Sequence, residues 1–428
     1  MRERIGRRIR DNPQLVGFLL AVFALGASNG VFQTTYNNYL DDVFNISATA
    51  RGALEFPREL PGFLVALLSG ALFFMLENRI AALAAVLTGL GMIGLGFIDQ
   101  SWALMLVFTV IWSIGQHVEM PMRSAIAMSL GSQKQHGRRL GQASAARVGA
   151  SVVGGLVVWL AIDYLGNNWL LIFGIGGIAA LIGAAYYARM KPVEAPTKRA
   201  KLVMKRRYGL YYLLCTLFGA RKQVFITFAP WVLVTVYGEQ ASTFAKLWIA
   251  SAVLGVWFQQ GLGDMIDRWG ERRVLMADGA VLILICLGYA FADQIGLPAG
   301  WPVRVLYVCY IMDELLFGVE NARSAYLAKI AEGPEDVSPS LSMGITLNHG
   351  VSMLVPYFGA RYIWDVFGWQ WVFVAAAGIA LLTTAAASFV RTPSDGGDDA
   401  LLAKLETGAE VTDLHDGEEP VDGLSANG

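Results

Sequence analysis

Twelve apolar segments, each long enough to cross a lipid bilayer as a helix, set the main constraint on this chain. Such a span takes about 20 mostly apolar residues. Numbered here as spans 1 to 12, the segments have the approximate bounds 14–40, 50–76, 80–98, 102–127, 142–165, 168–189, 208–236, 242–263, 273–293, 303–328, 340–363 and 369–390. Charged residues make up only 16% of the chain, too few for an ordinary soluble protein. The sequence predicts an all-α membrane protein with twelve transmembrane helices.

The distribution of basic residues predicts the orientation of these spans. The turns after spans 4 and 8 each bring together three Lys or Arg residues, whereas the turns on the opposite side are mostly acidic. Because Lys and Arg collect in cytoplasmic loops, both termini are expected to be cytoplasmic. The protein is expected to be a multi-pass component of the cytoplasmic (inner) membrane.

Composition also divides the chain into five regions. They are a basic cytoplasmic N-terminus at 1–13, a six-helix bundle at 14–190, a basic cytoplasmic linker at 191–207, a second six-helix bundle at 208–390 and an acidic, disordered cytoplasmic tail at 391–428. The linker holds seven basic residues and one acidic residue. We interpret its charge as a topology signal between two domains, with a patch for anionic lipid as the alternative.

An internal repeat relates the two bundles. The nine residues Gly26–Thr34 of span 1 match Gly219–Thr227 of span 7, 193 positions later, at five positions. The tripeptide Arg123-Ser124-Ala125 of span 4 recurs as Arg323-Ser324-Ala325 in span 10, 200 positions later. Six crossings return a chain to its starting side, so the repeat predicts two parallel, pseudo-symmetric six-helix bundles.

One motif makes a family resemblance specific. The turn between spans 8 and 9 reads G-D-M-I-D-R-W-G-E-R-R from Gly263, with Asp267, Arg268, Gly270 and Arg272 at its defining positions. It resembles the G-x-x-x-D-R-x-G-x-[RK]-[RK] cytoplasmic loop of the major facilitator superfamily. We expect Gly263 to allow close helix approach, Gly270 to make the turn and Asp267 to pair with an Arg or a helix N-terminus. The resemblance implies that these residues form a conformational latch.

Two other places depart from related patterns. In the first half, Phe74 stands where the loop motif has its Asp, and Glu77 where it has its Gly, so a symmetric latch is not expected. Span 5 contains Gly149, Gly154 and Gly155 but lacks the Pro of the G-x-x-x-G-P-x-x-G-G run found in many drug antiporters of the superfamily. The missing Pro makes drug export a less favoured prediction for the function of this chain. The resemblance extends over about residues 14–390.

Ionisable residues inside the spans are the strongest sign of a transport path. Each costs about 2.5 to 3.5 kcal/mol at a helix centre, so it is expected to face a cavity or a partner. The candidates for the substrate or proton pathway are Glu55, Arg58 and Glu59 (span 2), His117, Glu119 and Arg123 (span 4), Arg147 (span 5), Arg221 and Lys222 (span 7), Asp313, Glu314, Glu320 and Arg323 (span 10) and His349 (span 11). Asn29 and Gln33 of span 1 join them, because spans 1, 4, 7 and 10 line the central cavity in the family resembled.

These residues allow two interpretations. Arg and Lys could bind an anionic or zwitterionic solute while Glu or Asp carries a proton; alternatively, Glu119 with Arg123 and Glu320 with Arg323 form structural ion pairs. Adjacent residues of a helix point about 100° apart, so at most one of Arg221 and Lys222 is expected to face the cavity. The two His residues are either proton relays or neutral hydrogen-bond partners.

The sequence therefore predicts a secondary active transporter, not an enzyme. No Walker A loop, H-E-x-x-H or G-x-S-x-G motif is present, and the three Cys residues lack metal-like spacing, so no cofactor or metal is expected. The expected partners are a small polar and charged solute, a proton as coupling ion and the lipid bilayer. No nucleic-acid partner is expected, and the chain is expected to act as a monomer. The alternatives are an exporter of amphipathic compounds or drugs, and a transporter-like receptor or scaffold.

Overall fold

A computed structural model describes residues 12–65, 75–131, 135–192, 204–332 and 334–391. Most of the predicted N-terminus, linker and tail, and residues 66–74 with Phe74, lie outside this part. Each predicted span is helical over most of its described length. The helices are Pro13–Phe44, Ala48–Ala53, Glu55–Phe63, Glu77–Phe97, Trp102–Ser129, His136–Leu165, Trp169–Arg189, Gly209–Thr235, Ala241–Phe291, Trp301–Leu316, Glu320–Ile330, Pro334–Phe358 and Trp369–Ala387. Seven of them have both the length and the apolar character to cross a membrane.

Polar residues at the helix ends explain several boundaries. The Asn12 side chain accepts a hydrogen bond from the Leu15 backbone N–H at 3.1 Å, and Pro13, at the first helical position, needs no donor partner. Asn45 ends the same helix in the left-handed conformation, with φ 45°. Asn168 caps span 6 by accepting from the Leu171 N–H at 3.0 Å. These local signals fix where the helix of span 1 begins and ends and where the helix of span 6 begins.

Spans 8 and 9 form one helical stretch, Ala241–Phe291, that is broken only at Gly270. Gly270 has φ 76° and ψ 162°, a conformation that residues with a Cβ rarely adopt, so the expected turn lies at this residue. Gly263 makes no close helix contact in the described part of the chain, where a Cβ at this residue would meet no atom within 4 Å. Asp267 is exposed, and it is Glu271, 2% exposed, that pairs with Lys329 of span 10 at 2.7 Å.

Corresponding glycines let the helices of each half pack closely. A Cβ at Gly26 would lie 2.5 Å from the Arg147 carbonyl oxygen, and one at Gly219 would lie 2.5 Å from the Asn348 carbonyl oxygen. Span 1 therefore packs on span 5 as span 7 packs on span 11. Small residues permit this approach where helices associate without a hydrophobic driving force. The sequence repeat is thus also a repeat of helix packing.

The two halves, spans 1 to 6 and spans 7 to 12, are joined by hydrogen bonds at one end and in the centre of the bundle. We call the end that holds Asn45–Ser47 and Gly238–Gln240 the distal end, and the end that holds the linker the linker end. At the distal end, the Asn38 side chain donates to the Glu239 carbonyl at 2.8 Å, and the Thr49 hydroxyl donates to Asp365 at 2.6 Å. The described structure is therefore fastened at the distal end.

Candidate functional site

Four charged residues of span 2 form the centre of the candidate site. Arg51, Arg58 and Glu59 lie four, three and four residues from Glu55, spacings that place each of them beside Glu55 on a helix surface. The helix is interrupted at Leu54. Pro57 explains the break, because it has no N–H to donate to the carbonyl four residues earlier. All four charged side chains are at least nine-tenths buried.

These side chains neutralise one another in a chain of ion pairs. Glu55 accepts from Arg51 and, at 2.6 Å, from the Arg58 Nε. The Arg58 Nη2 atom lies 2.9 Å from the Glu59 Oε1 atom. Asn37 of span 1 accepts from the Arg51 Nε at 2.8 Å. Burying unpaired charges would be costly, so this mutual pairing makes a charged centre possible within the membrane.

Residues of the second half complete this central cluster. Gln223 of span 7 donates to Glu55 at 2.6 Å, and His349 Nδ1 of span 11 lies 2.7 Å from a Glu59 carboxylate oxygen. Lys222, the residue before Gln223 on span 7, is half-buried and lies within electrostatic range of Glu59 and His349. The central cluster, defined as Arg51, Glu55, Arg58, Glu59, His117, Lys222, Gln223 and His349, therefore spans the interface between the halves.

His117 of span 4 faces His349 across the cluster. Their ring centroids are 5.0 Å apart, in an edge-to-face arrangement. His117 Nδ1 lies 2.9 Å from the Ser113 carbonyl oxygen, which orients the ring by accepting its N–H. A Cβ at Gly62 would lie 2.6 Å from the His117 ring and 2.7 Å from the His349 ring. Only glycine leaves room for both rings at this position.

Glu59, His117 and His349 offer ligand atoms within 4.8 Å of one another, a spacing compatible with a metal ion. The surrounding charge opposes one. Arg58 lies 2.9 Å from Glu59, and the three cations Arg51, Arg58 and Lys222 face only two carboxylates in the cluster. A divalent cation would add to this excess positive charge. The arrangement suits a proton and an anion better.

A second group of charges lies within the first half. Glu119, 1% exposed, accepts from Arg123 at 2.9 Å and from the Tyr187 hydroxyl at 2.9 Å, and lies 3.5 Å from Arg147. Arg147 also donates to Gln116 at 3.0 Å. One carboxylate thus holds spans 4, 5 and 6 together through two Arg residues and a Tyr.

A third group lies within the second half. Arg221 pairs with Asp313 at 2.8 Å, surrounded by the rings of Phe218, Phe225 and Phe317. Arg323 lies with its guanidinium carbon 3.6 Å from the Phe218 ring centroid. Its expected partner Glu320 is exposed, and Glu314 is partly buried. Arg221 is thus committed to a partner inside its own half, whereas Lys222 faces the central cluster.

The structure brings together only some of the predicted pathway residues. Glu55, Arg58, Glu59, His117, Lys222 and His349 meet in the central cluster. Asn29 and Gln33 are half-buried and make no side-chain hydrogen bond to another described residue. Sequence reasoning missed Arg51 and Gln223, and also Asp278, a buried acid of span 9. Arg51 could have been found from its spacing of four from Glu55, and Asp278 as an acid in the interior of an apolar span.

Two bundles of membrane-spanning helices that enclose paired charges define a polytopic transporter. A sequence profile of the Major Facilitator Superfamily matches residues 18–322. The chain belongs to this superfamily and is a multi-pass membrane protein. No curated protein sequence matches it.

Solved structures show the same fold. A variant of the nucleoside transporter NupG aligns with a TM-score of 0.72 at 14% identity, covering 87% of this chain and 98% of that one. A D-xylose-proton symporter gives 0.68 at 16% identity, with 89% and 98% covered. A bacterial homologue of the human lysosomal transporter Spinster gives 0.65 at 15% identity, with 88% and 96% covered. At these identities the likeness concerns the fold alone.

Proposed function

We propose that this chain is a proton-coupled secondary active transporter of a small anionic or zwitterionic solute in the cytoplasmic membrane. It would work by alternating access, in which the central site opens to one side of the membrane and then to the other. The observation that carries the proposal is the central cluster, which crosses the interface between the halves and holds one more cation than carboxylates. An uncompensated positive charge in the membrane is costly unless a ligand neutralises it. A carboxylate or phosphate of the cargo would supply that negative charge.

Lys222 is the cluster cation proposed to bind the cargo. Arg51 and Arg58 are paired with Glu55 and Glu59, and Arg221 is paired with Asp313. Lys222 makes no ion pair with any residue in the described part of the chain. Its ammonium remains available to an anion that reaches the interface between the halves.

The Glu59–His349 contact is proposed to couple a proton to the movement of the halves. Opening the distal end requires the halves to separate, so the hydrogen bonds of His349 to Glu59 and of Gln223 to Glu55 must break. A proton on Glu59 removes the charge that attracts Arg58 and His349, and therefore weakens the bond between the halves. The Glu59 carboxylate is surrounded by Arg58, Lys222, His117 and His349. An entering anion would offset the positive charge of these neighbours, which otherwise stabilises the ionised carboxylate, and would therefore favour protonation of Glu59.

Transport by the purified protein in liposomes tests the proposal. An imposed pH gradient should drive uptake of at least one member of a panel of carboxylates, amino acids and phosphate compounds. Lys222→Met should lower uptake at least about tenfold, equivalent to about 1.4 kcal/mol, and Lys222→Arg should retain part of it. Lys246→Met is the matched control, because Lys246 lies over the Trp159 ring away from the cluster.

Proton coupling has its own readout. Glu59→Gln and His349→Gln should lose accumulation driven by the pH gradient while they still exchange labelled for unlabelled solute at equal concentrations. This pattern separates coupling from binding. Full pH-driven accumulation by His349→Gln would contradict the proposed coupling, and no flux of any panel member would favour a receptor or scaffold.

A further inference from the structure

A small basic cavity lies in the first half, between the central cluster and the linker end. It has a volume of about 160 Å³ and is lined by Arg123 and Ser124 of span 4 and by Ser144 and Arg147 of span 5. Since a water takes about 30 Å³ in the liquid, it has room for a group the size of a hydrated oxyanion. The proposed function does not use this cavity.

The charges around the cavity do not cancel. Arg123 and Arg147 share one carboxylate, Glu119, which is buried and also accepts from Tyr187. Arg147 lies 3.5 Å from that carboxylate, the longer of the two contacts. One excess positive charge therefore remains beside the cavity. Arginine presents a planar set of N–H donors that suits carboxylate and phosphate oxygens.

Polar groups complete the lining. The Ser124 hydroxyl donates to the Met120 carbonyl at 3.3 Å, which leaves its oxygen lone pairs free to accept. Ser144 is exposed and bonds to no other residue in the described ranges. Two guanidinium groups and two hydroxyls thus line the cavity, together with short apolar side chains.

The position of the cavity on span 4 links it to the central cluster. Ser124 follows His117 by seven residues, which is about two helical turns, so the two lie on the same face of span 4. At about 1.5 Å per residue, Ser124 lies about 10 Å nearer the linker end. A solute that leaves the central cluster along this face would next meet Ser124.

We propose that this cavity is a second anion site, at which the carboxylate or phosphate group of the solute rests between the central cluster and the linker end. This inference depends on the proposed function for the identity of its ligand, but not for the presence of an anion site. The other source of the same chemistry is the phosphate of an anionic lipid headgroup. The test must therefore distinguish an aqueous path from a lipid-facing groove.

Charge-selective labelling makes this distinction. In Ser144→Cys, the introduced thiol should react with an anionic methanethiosulfonate about tenfold faster than with a cationic one, each rate relative to the same reagent on a free thiol. The native cysteines are buried. Inorganic phosphate should slow the labelling, and adding Arg147→Gln should abolish the preference. Ala145→Cys is the matched control, since Ala145 is exposed and neighbours Ser144 without lining the cavity.

Several outcomes would overturn the anion site. A thiol at position 144 that reacts with neither reagent, or with both at equal relative rates, contradicts it. Protection by phosphatidylglycerol in the liposome, in place of protection by inorganic phosphate, assigns the cavity to lipid. These measurements need no transport. No charge preference in Ser144→Cys alone, together with intact solute flux, rejects only the second site, whereas charge preference in Ser144→Cys without any solute flux rejects only the transport proposal.

Discussion

Glu119 and Arg123 of span 4 form a buried ion pair, whereas their counterparts in span 10 are arranged differently. Glu320 is exposed and Arg323 lies over the Phe218 ring. The two segments share only the tripeptide Arg-Ser-Ala, and Glu119 precedes its arginine by four residues whereas Glu320 precedes its arginine by three. The neighbouring spans differ as well. Span 5 supplies Arg147 beside Glu119, and the residue that takes its packing position in span 11 is Asn348.

The aromatic neighbour has an equivalent explanation. Phe218 immediately precedes Gly219 at the start of the repeat, and the corresponding residue before Gly26 is Leu25. Leucine offers no ring face to a guanidinium, whereas phenylalanine does. The two halves therefore share the same helix packing, but their charged residues have different partners. Glu119 pairs with Arg123 within span 4, but its other partners Arg147 and Tyr187 come from spans 5 and 6, so the shared tripeptide alone does not decide the partners.

The largest expected effect comes from removing the shared carboxylate of the first half. Glu119→Gln removes a buried carboxylate and leaves the partly buried Arg123 and Arg147 without their counter-ion, so thermal unfolding in detergent should show a loss of about 3 to 5 kcal/mol. The equivalent change in the second half, Glu320→Gln, should have almost no effect because Glu320 is exposed. Equal losses in both variants would contradict the difference between the halves.

The second half has its own buried pair, and a smaller loss is expected there. Asp313→Asn should destabilise the protein by about 3 kcal/mol, because Arg221 would keep its aromatic neighbours but lose its counter-ion. The double variant Arg221→Met, Asp313→Leu should recover most of that stability, because neither charge of the pair remains to be left without its counter-ion. Thermal unfolding of the single and double variants checks this, and an additive loss in the double variant would contradict it.

Glycine substitutions test the part of the comparison in which the halves agree. Gly26→Ala and Gly219→Ala should each cost about 1 to 3 kcal/mol, because the new methyl group would press on a carbonyl of the neighbouring span. Gly17→Ala is the control, since a Cβ at Gly17 meets no atom within 4 Å. Unfolding temperatures of the three variants check this. A loss confined to one half would show that the packing repeat is not maintained.

Much of the fold could be predicted from the sequence, because periodic apolar length and a local turn signal decide it. The twelve spans and the Gly270 turn follow from such local features. The central cluster was predicted only in part. Glu55, Arg58 and Glu59 share a helix face, but their bonds to Gln223 and His349 join residues more than 150 positions apart. No spacing along one helix indicates which long-range partner a buried charge will meet.

A smaller effect is expected from the aromatic neighbour of Arg323. Phe218→Leu replaces the ring with the residue type found at the corresponding position of the first half. It should lower stability by about 1 kcal/mol, the contribution typical of a cation–π contact with some desolvation. Phe218→Trp keeps a ring face and is the control for ring loss. Thermal unfolding measures both, and a stability unchanged by Phe218→Leu would show that the ring does not stabilise Arg323.

The smallest effect concerns how the linker is attached to each half, and it depends on pH. The Lys191 backbone N–H donates to Gln14 in the first half at 2.9 Å. At the other end, Lys205 donates to Asp336 at 2.6 Å, and the Tyr208 hydroxyl donates to the same carboxylate at 2.8 Å. The Lys205 and Tyr208 hydrogen bonds lower the pKa of Asp336 below its ordinary value of 3.8.

The sign of this shift fixes the pH range in which the second attachment weakens. A lowered pKa means that the folded state favours the carboxylate, so the attachment is intact above about pH 4 and is lost as the pH falls through the lowered value. Spin labels at Met204→Cys and Ala331→Cys should show a narrow distance distribution at pH 7 that broadens as the pH falls through the lowered pKa of Asp336. Asp336→Asn should be broad at both pH values, whereas labels beside Lys191 and Gln14 should not respond. A pH response at both ends of the linker would show that the two attachments do not differ in the way their hydrogen bonds imply.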